Sequence, residues 1–321
     1  MLANNNKMII NKLAKNSVKS NKKQYGILFF TIVLSAFMLF CVFTIGLTYL
    51  DSSRLQNTRL NGAEYDITTM NGFTSKQVKS LQSNKNIQNV GMESYAGFIK
   101  SSEFDNTVEI GLLWCDETFW NNLMSPARTK LDGHYPQNKN ELMVTKDILK
   151  ACGNENLSVG DSIVLTYENN TGVHTDKFVI SGIWDGYGDK SAGFVSKNFY
   201  DETGYDLKND GILCIKLNRN YVLPTTIQSL EKSLNFSDRQ IFAPTDYIEN
   251  SFKLLLGICG LALVICLSAY LLIYNILYLS ISGKIRYYGL LQSLGMTKKQ
   301  LVRFITKQML FIAIAGIFIG N

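Results

Sequence analysis

Residues 254–281 read LLLGICGLALVICLSAYLLIYNILYLSI, a run of 28 residues without a charged side chain. At 1.5 Å per residue, a helix of this length exceeds the roughly 30 Å hydrocarbon core of a bilayer. Asn275 is the one clear amide in the run. The run predicts a transmembrane helix. We favour a packing role for Asn275, in which it bonds a neighbouring helix, over a place on a relay path.

Two further uncharged runs flank this one in the sequence. Residues 26–50 predict another transmembrane helix; a cleaved signal peptide is disfavoured because Tyr49-Leu50-Asp51 follows in place of a small-x-small site. Residues 309–321 are apolar but fall short of the ~20 residues that a span needs. We expect them to be the start of an incomplete third span in a truncated protein. Gly316 and Gly320 have the G-x-x-x-G spacing that lets helices pack closely.

The net charge of +6 conceals an uneven distribution of charged residues. All 26 acidic residues lie within residues 51–253, whereas residues 1–25 and 282–308 are basic and contain no acid. This pattern excludes a single soluble globule, a disordered chain and a nucleic-acid-binding basic domain. By the positive-inside rule, the basic N-terminus and residues 282–308 are expected to be cytoplasmic and residues 51–253 extracellular. The basic residues 1–25 are expected to lie along the inner membrane surface, with a disordered tail as the alternative.

Residues 51–253 are long enough for a folded domain with its own core. Alternating strand and helix patterns predict an α+β domain, with a β-rich insert at about residues 128–190 and an amphipathic stalk at residues 245–253. The predicted strands are residues 63–69, 95–100, 108–115, 141–145, 161–167, 177–183, 193–196 and 212–217, and the predicted helices are residues 75–83, 197–203 and 225–234.

Motifs for catalysis, cofactors or metals are not discernible. His134 and His174 have no acid–base partner at a motif spacing, and no G-x-x-x-x-G-K-[ST] sequence is present. Cys115, Cys152 and Cys214 lie in the external segment without a CxxC spacing, and whether any two of them pair is left open. We therefore expect a protein that is not itself an enzyme and uses no cofactor.

The loop at residues 282–308 reads SGKIRYYGLLQSLGMTKKQLVRFITKQ. Tyr287, Leu290, Leu291 and Leu294 have helical spacing and predict an amphipathic helix. Gly295 is placed to end that helix in the left-handed conformation, and Thr297-x-x-Gln300 predicts a capping box that begins the next helix. From the residues alone, two interpretations stay open: a helix lying in the lipid interface, or a docking helix for a cytoplasmic partner.

The stretch RYYGLLQSLGMTKKQ at residues 286–300 resembles the R-x-x-G-L-L-x-x-[LI]-G-x-[ST]-x-x-Q signature of MacB/FtsX-like ABC transporter permeases. The external segment is similar to the same family at LDGHYP and NELMV (residues 131–136 and 140–144), and at VGDSI and FVISGI (residues 159–163 and 178–183). The resemblance covers nearly the whole chain and matches the first half of a long Gram-positive-type permease. It implies a MacB-like external domain.

The resemblance also implies a function in the bacterial cytoplasmic membrane. A separate cytoplasmic ABC ATPase would supply the energy, and a dimer or a second permease half would complete the assembly in the bilayer. The ATPase-coupling residues would be Arg286 on the polar side, Tyr287, Leu290, Leu291 and Leu294 as contacts, and Gly295 as the turn that passes motion to the third helix. Candidate cargoes are antimicrobial peptides, lipids or lipoproteins. The alternative is a division-type regulator that activates cell-wall hydrolases, although such members have a much smaller external domain.

Overall fold

The computed structural model describes residues 7–100, 110–188 and 192–320. Its α-helices are α1 (Lys7–Ser20), α2 (Lys22–Asn61), α3 (Ser75–Gln82), α4 (Lys146–Ala151), α5 (Lys197–Tyr200), α6 (Pro224–Ser233), α7 (Asp246–Ser282), α8 (Ile285–Ser293) and α9 (Lys298–Gly320). Its strands are β1 (Ile67–Met70), β2 (Ile87–Lys100), β3 (Ile110–Cys115), β4 (Arg128–Gly133), β5 (Glu141–Val144), β6 (Ser162–Asn169), β7 (Gly172–Gly186), β8 (Ala192–Val195), β9 (Ile212–Leu217) and β10 (Ile241–Pro244).

Three of these helices, α2, α7 and α9, are long and apolar enough to cross a bilayer. The chain is therefore a membrane protein. It divides into two compact units. A helical unit comprises residues 1–49 and 255–321, and a globular unit comprises residues 50–254. The helices α2 and α7 each run from one unit into the other without a break.

The globular unit is built on one mixed sheet, to which all ten described strands belong. Its strand order is β10-β1-β9-β2-β3-β8-β5-β7-β4, and β6 pairs with both β2 and β7. The pairs β3–β8 and β5–β7 are parallel, and the other pairs are antiparallel. The long strands β2 and β7 therefore connect the whole sheet.

Two apolar clusters fill much of the space between this sheet and its helices. One packs α4 and α5 on the centre of the sheet, with Leu112, Leu142 and Ile180 fully buried. The other packs α3 and α6 beside β1 and β9, around Leu81 and Ile215. The strands β3, β5 and β9 are buried at almost every position, and such short, continuous apolar runs are typical of strands that are covered on both faces.

A buried group of charges lies where β1 and β9 pair. Lys216 is 5% exposed, and its Nζ lies 3.2 Å from Glu64 Oε1 and 3.4 Å from Asp66 Oδ2. Asp66 Oδ2 also accepts from the backbone N–H of Leu217 at 2.8 Å. The backbone of Asp66 accepts from Thr245 N–H, the residue before α7. Since a buried charge is tolerated only when it is paired and hydrogen-bonded, this group holds the start of β1 in one position.

The predicted combination of membrane helices and a large α+β domain is confirmed. The helix at residues 75–83 is also confirmed: it corresponds to α3, which begins at a capping box between Thr74 and Gln77. Residues 246–253 of the predicted stalk are helical and form the first part of α7. Residues 108 and 109 of one predicted strand and residues 189 and 190 of the predicted insert lie outside the described residues.

The sequence analysis predicted that residues 128–190 form a β-rich insert, and the structure shows how the strands of this segment pair with the rest of the globular unit. Its strands β4, β5, β6 and β7 are hydrogen-bonded into the same sheet as the rest of the unit, and β6 pairs directly with β2. The segment also contains the helix α4, which the sequence pattern did not indicate. The short strand β10 was missed as well. Local patterns carry little information about which strands pair across long sequence separations.

Candidate coupling site

The helix α8 lies between the long helices α7 and α9 in the chain, and it ends in a turn that its sequence specifies. Gly295 has a φ of 99°, a conformation that costs glycine little and other residues more. Met296 N–H donates to Leu291 O and Gly295 N–H donates to Gln292 O, both at 3.0 Å. These two bonds form a Schellman motif. The predicted left-handed turn at Gly295 is confirmed.

The next helix, α9, begins directly after this turn. Thr297 N–H donates to Gln300 Oε1 at 3.0 Å, and Gln300 N–H donates to Thr297 Oγ1 at 3.3 Å. This reciprocal pair is the predicted capping box. Four residues separate the end of α8 from the start of α9, so the two helices are joined by a short corner whose turn and cap are both specified by the sequence.

One face of α8 is packed within the helical unit. Tyr288 is 8% exposed and belongs to a cluster with Ile10 and Ala14 of α1 and Phe304 of α9. Leu291 is partly buried against the same cluster. The sequence pattern placed Leu291 with the contact residues, whereas the structure turns it inward. The burial raises the pKa of Tyr288 to about 12, so its hydroxyl stays protonated at physiological pH.

The neighbouring side of α8 carries exposed apolar side chains. Tyr287, Leu290 and Leu294 are 43%, 59% and 77% exposed, and they follow one another at i, i+3 and i+7. This spacing aligns them along one side of the helix. Arg286 is exposed on the same helix. We call Tyr287, Leu290 and Leu294 the exposed strip.

Sequence reasoning missed two contributors to this site. The helix α1 supports the buried face of α8, and its Ile10 and Ala14 have the i, i+4 spacing that could have indicated this packing. Lys284 lies just before α8, with its Nζ 5.1 Å from the centre of the Tyr25 ring. Burial lowers the pKa of the Lys284 ammonium group, and the aromatic face offsets part of the cost of burying the charge.

The three residues assigned to helix packing lie in different environments. A Cβ on Gly316 would lie 2.8 Å from Cγ2 of Ile32, and one on Gly320 would lie 2.6 Å from the carbonyl oxygen of Val33. These glycines therefore let α9 approach α2 closely. Asn275 is exposed on α7. A third close approach was missed by the sequence pattern: a Cβ on Gly46 of α2 would lie 2.7 Å from Cδ1 of Ile258 of α7.

A family model matches the part of the chain that contains α8 and its corner. Residues 259–321 match the family described as FtsX-like permease C-terminal. Those residues are therefore similar to the C-terminal domain of FtsX-like permeases. The match runs from within α7 through α8 to the end of α9, so the exposed strip and the Gly295 turn lie inside the matched residues.

Solved structures similar to this chain include three external or permease domains. The extracellular domain of the noncanonic ABC-type transporter YknZ from Gram-positive bacteria is 10% identical, with a TM-score of 0.37 over 56% of this chain and 98% of that one. The periplasmic region of MacB from Actinobacillus actinomycetemcomitans is 14% identical, with a TM-score of 0.39 over 60% and 95%.

The third is a domain of a putative permease protein from Porphyromonas gingivalis, which is 9% identical, with a TM-score of 0.34 over 57% and 89%. All three TM-scores lie below 0.5, so the similarity to the FtsX-like family rests on residues 259–321. No curated protein sequence matches this chain closely enough to count as a relative.

Proposed function

We propose that this protein is the permease subunit of an ABC transporter. A separate cytoplasmic ATPase hydrolyses ATP, and the permease converts the resulting motion into movement of its globular unit outside the cell. The observation that carries the proposal is the exposed strip on α8, which lies within the residues that match the FtsX-like family and between two candidate membrane helices. Apolar side chains at i, i+3 and i+7 are the usual anchors of a helix that docks in a groove.

The way α8 is held supports a role in transmitting force. Its buried face is packed against α1 and α9, and its end is fixed to α9 by the Gly295 turn and the capping box. A push on the exposed strip would therefore move α9 instead of bending a loose loop. Close packing of α9 on α2 at Gly316 and Gly320 offers a route by which that movement reaches α2, which continues into the globular unit.

The assembly and cargo follow from the same proposal. A dimer or a second permease half would complete the transporter in the bilayer, and Asn275, exposed on α7, is available to bond a helix of that partner. The candidate cargoes are antimicrobial peptides, lipids or lipoproteins that are exported, released or resisted. The basic residues before α2 and after α7 favour a cytoplasmic N-terminus and a cytoplasmic α8.

The docking proposal is tested with Leu290→Glu in the full chain, co-expressed with the ATPase encoded nearest to it. A carboxylate on the exposed strip would have to be buried in an apolar groove, so we expect loss of co-purification and at least a roughly tenfold drop in permease-dependent ATP turnover. Gln292→Glu introduces the same charge at another exposed position of α8 and should leave both measurements unchanged.

The position of Leu291 makes it unsuitable for this test, because a charge there would disturb the packing of α8 on α1 and α9. If Leu290→Glu and Leu294→Glu both retain wild-type co-purification and ATP turnover, the exposed strip does not dock the ATPase. Stable insertion of each variant is checked by its yield in the membrane fraction, so that loss of folding is not mistaken for loss of docking.

A further inference from the structure

The globular unit has an open groove of about 410 Å³ beside α3 and the loop that follows α6. Three of its lining residues are cations: Lys76 of α3, Lys208 of the loop before β9, and Arg239 of the loop before β10. None of the described residues that line the groove is acidic. Residues 51–253 contain more acidic than basic residues, so their net charge is negative. A groove whose charged lining residues are all positive therefore differs in sign from the segment that contains it.

These three cations come from distant parts of the sequence, and hydrogen bonds join the segments that carry them. Asn71 Nδ2 donates to the carbonyl oxygen of Arg239 at 2.8 Å. Phe73 N–H donates to the carbonyl oxygen of Leu207 at 3.0 Å, beside Lys208. The segment after β1, which leads into α3 and Lys76, therefore holds both of the other segments.

The backbone at the groove is also fixed by close packing. Gly72 has a φ of 89°, and a Cβ there would lie 1.9 Å from the carbonyl oxygen of Lys208. No other residue type fits this approach without moving the Lys208 loop. The position of Lys208 relative to α3 thus depends on Gly72. The backbone fold therefore brings Lys208 close to Lys76.

Two glutamine side chains line the groove, and their hydrogen bonds hold its backbone segments together. Gln77 is 7% exposed; its Nε2 donates to the carbonyl oxygen of Leu234 at 3.1 Å, and its Oε1 accepts from Thr74 N–H at 2.8 Å. Gln240 Nε2 donates to the carbonyl oxygen of Gly72 at 2.7 Å. The carbonyl at the end of α6 is therefore satisfied by Gln77 and adds little negative potential to the groove.

In the part of the chain that the structure describes, the three cations of the groove are not engaged in close ion pairs. Among the described residues, Lys76, Lys208 and Arg239 form no ion pair. Asp206 accepts instead from the backbone N–H of Asn209 at 2.8 Å and from its Nδ2 at 2.7 Å. Three positively charged residues thus line one groove, and none of them is held in an ion pair by another of the described residues.

We propose that this groove binds a soluble anionic ligand, which carries its charge on phosphate or carboxylate groups. Lysine and arginine form charge-assisted hydrogen bonds with such groups, and a groove of this volume accommodates more than a single phosphate. The proposal goes beyond the coupling of α8 to an ATPase and does not require it, since every residue of the groove lies in the globular unit.

The place of the groove on the sheet favours a soluble ligand over a lipid headgroup. β1 pairs with β10 so that Ile67 faces Pro244 and Met70 faces Ile241. The chain enters β1 from α2 and leaves β10 for α7 at the Ile67 end, whereas Asn71 and Arg239 lie past the opposite end. The two ends are about 10 Å apart along the strands.

The test uses the full chain in nanodiscs of neutral phosphatidylcholine, with tripolyphosphate as the probe at constant ionic strength. Titration calorimetry measures affinity, and hydrogen exchange of residues 70–77 and 235–241 reports the location of binding. The groove variant Lys76→Gln, Lys208→Gln, Arg239→Gln is compared with the control variant Lys79→Gln, Lys85→Gln, Lys232→Gln. Both lose three positive charges, and none of the control positions lines the groove.

We expect tripolyphosphate to slow hydrogen exchange of both segments in the wild type and in the control variant. The groove variant should bind at least about tenfold more weakly, because three charge-assisted contacts are lost. Equal affinity in the two variants, or no binding to the wild type, would overturn the proposal. So would protection of the groove by phosphatidylglycerol in the nanodisc without any soluble probe, since that outcome assigns the site to lipid.

Discussion

The side chain of Glu93 is partly buried in the globular unit, on the central strand β2. Cys214 Sγ on the neighbouring strand β9 donates to Glu93 Oε1 at 3.7 Å. Among the described residues, Glu93 forms no ion pair. Burial, opposed in part by this hydrogen bond, raises the pKa of Glu93 from 4.5 to about 7. The stability of the unit should therefore depend on pH near neutrality.

The direction of this dependence follows from proton linkage. The folded state holds the Glu93 proton more tightly than the unfolded state, so the contribution of Glu93 to stability is fully present below pH 4.5 and is lost as the pH rises through about 7. We expect the free energy of unfolding to be about 1–3 kcal/mol lower at pH 8 than at pH 5 on account of this group. Glu93→Gln should remove most of that difference and stabilise the unit at pH 8.

All three tryptophans, Trp114, Trp120 and Trp184, lie in the globular unit. Urea unfolding of the full chain in detergent, followed by tryptophan fluorescence at pH 5 and pH 8, therefore reports on this unit alone. Glu117→Gln, at an exposed position beyond the end of β3, is the control and should leave the pH dependence unchanged. An unaltered pH dependence in Glu93→Gln would show that another group is responsible.

At the scale of elements, the corner between α8 and α9 is the part of the site that local sequence determines. Gly295→Ala places a Cβ on a residue with a φ of 99° and should destabilise the corner by about 1 kcal/mol or more. Gly289→Ala is the matched control, because Gly289 lies within α8 with open space around it and alanine favours the helix by about 0.5–1 kcal/mol.

Hydrogen exchange of residues 285–300 in the full chain measures the two effects. The amide of Met296, which donates to Leu291 O, should exchange faster in Gly295→Ala. In Gly289→Ala the amides of α8 should exchange more slowly. Faster exchange in both variants would mean that α8 is not held as a helix by this turn, and the transmission of force through the corner would lose its support.

The corner between α8 and α9 also shows which parts of the site can be predicted from the sequence. The turn at Gly295 and the capping box at Thr297 were predictable because their signals lie within a few adjacent residues. The inward packing of Leu291 was not, since it depends on α1, which lies nearly 280 residues away in the chain. The pairing of Lys216 with Asp66 and the convergence of the groove cations were hidden for the same reason: they arise only when distant strands pair.

At the scale of the whole molecule, the uneven charge distribution predicts the orientation of the chain in the membrane. The segments before α2 and between α7 and α9 are basic and contain no acid, which favours the cytoplasmic side for both. The globular unit should then lie outside. The proposed coupling requires this arrangement, because the exposed strip must face the ATPase.

Cysteine labelling of intact and permeabilised bacterial cells measures the orientation. The six native cysteines are replaced by alanine, and single cysteines are introduced by Lys12→Cys, Ser237→Cys and Gln292→Cys, all at exposed positions. A membrane-impermeant maleimide should label only Ser237→Cys in intact cells, and it should label all three after permeabilisation. The cysteine-free chain should stay unlabelled in both conditions. Labelling of Gln292→Cys in intact cells would place α8 outside, where no cytoplasmic ATPase could reach it.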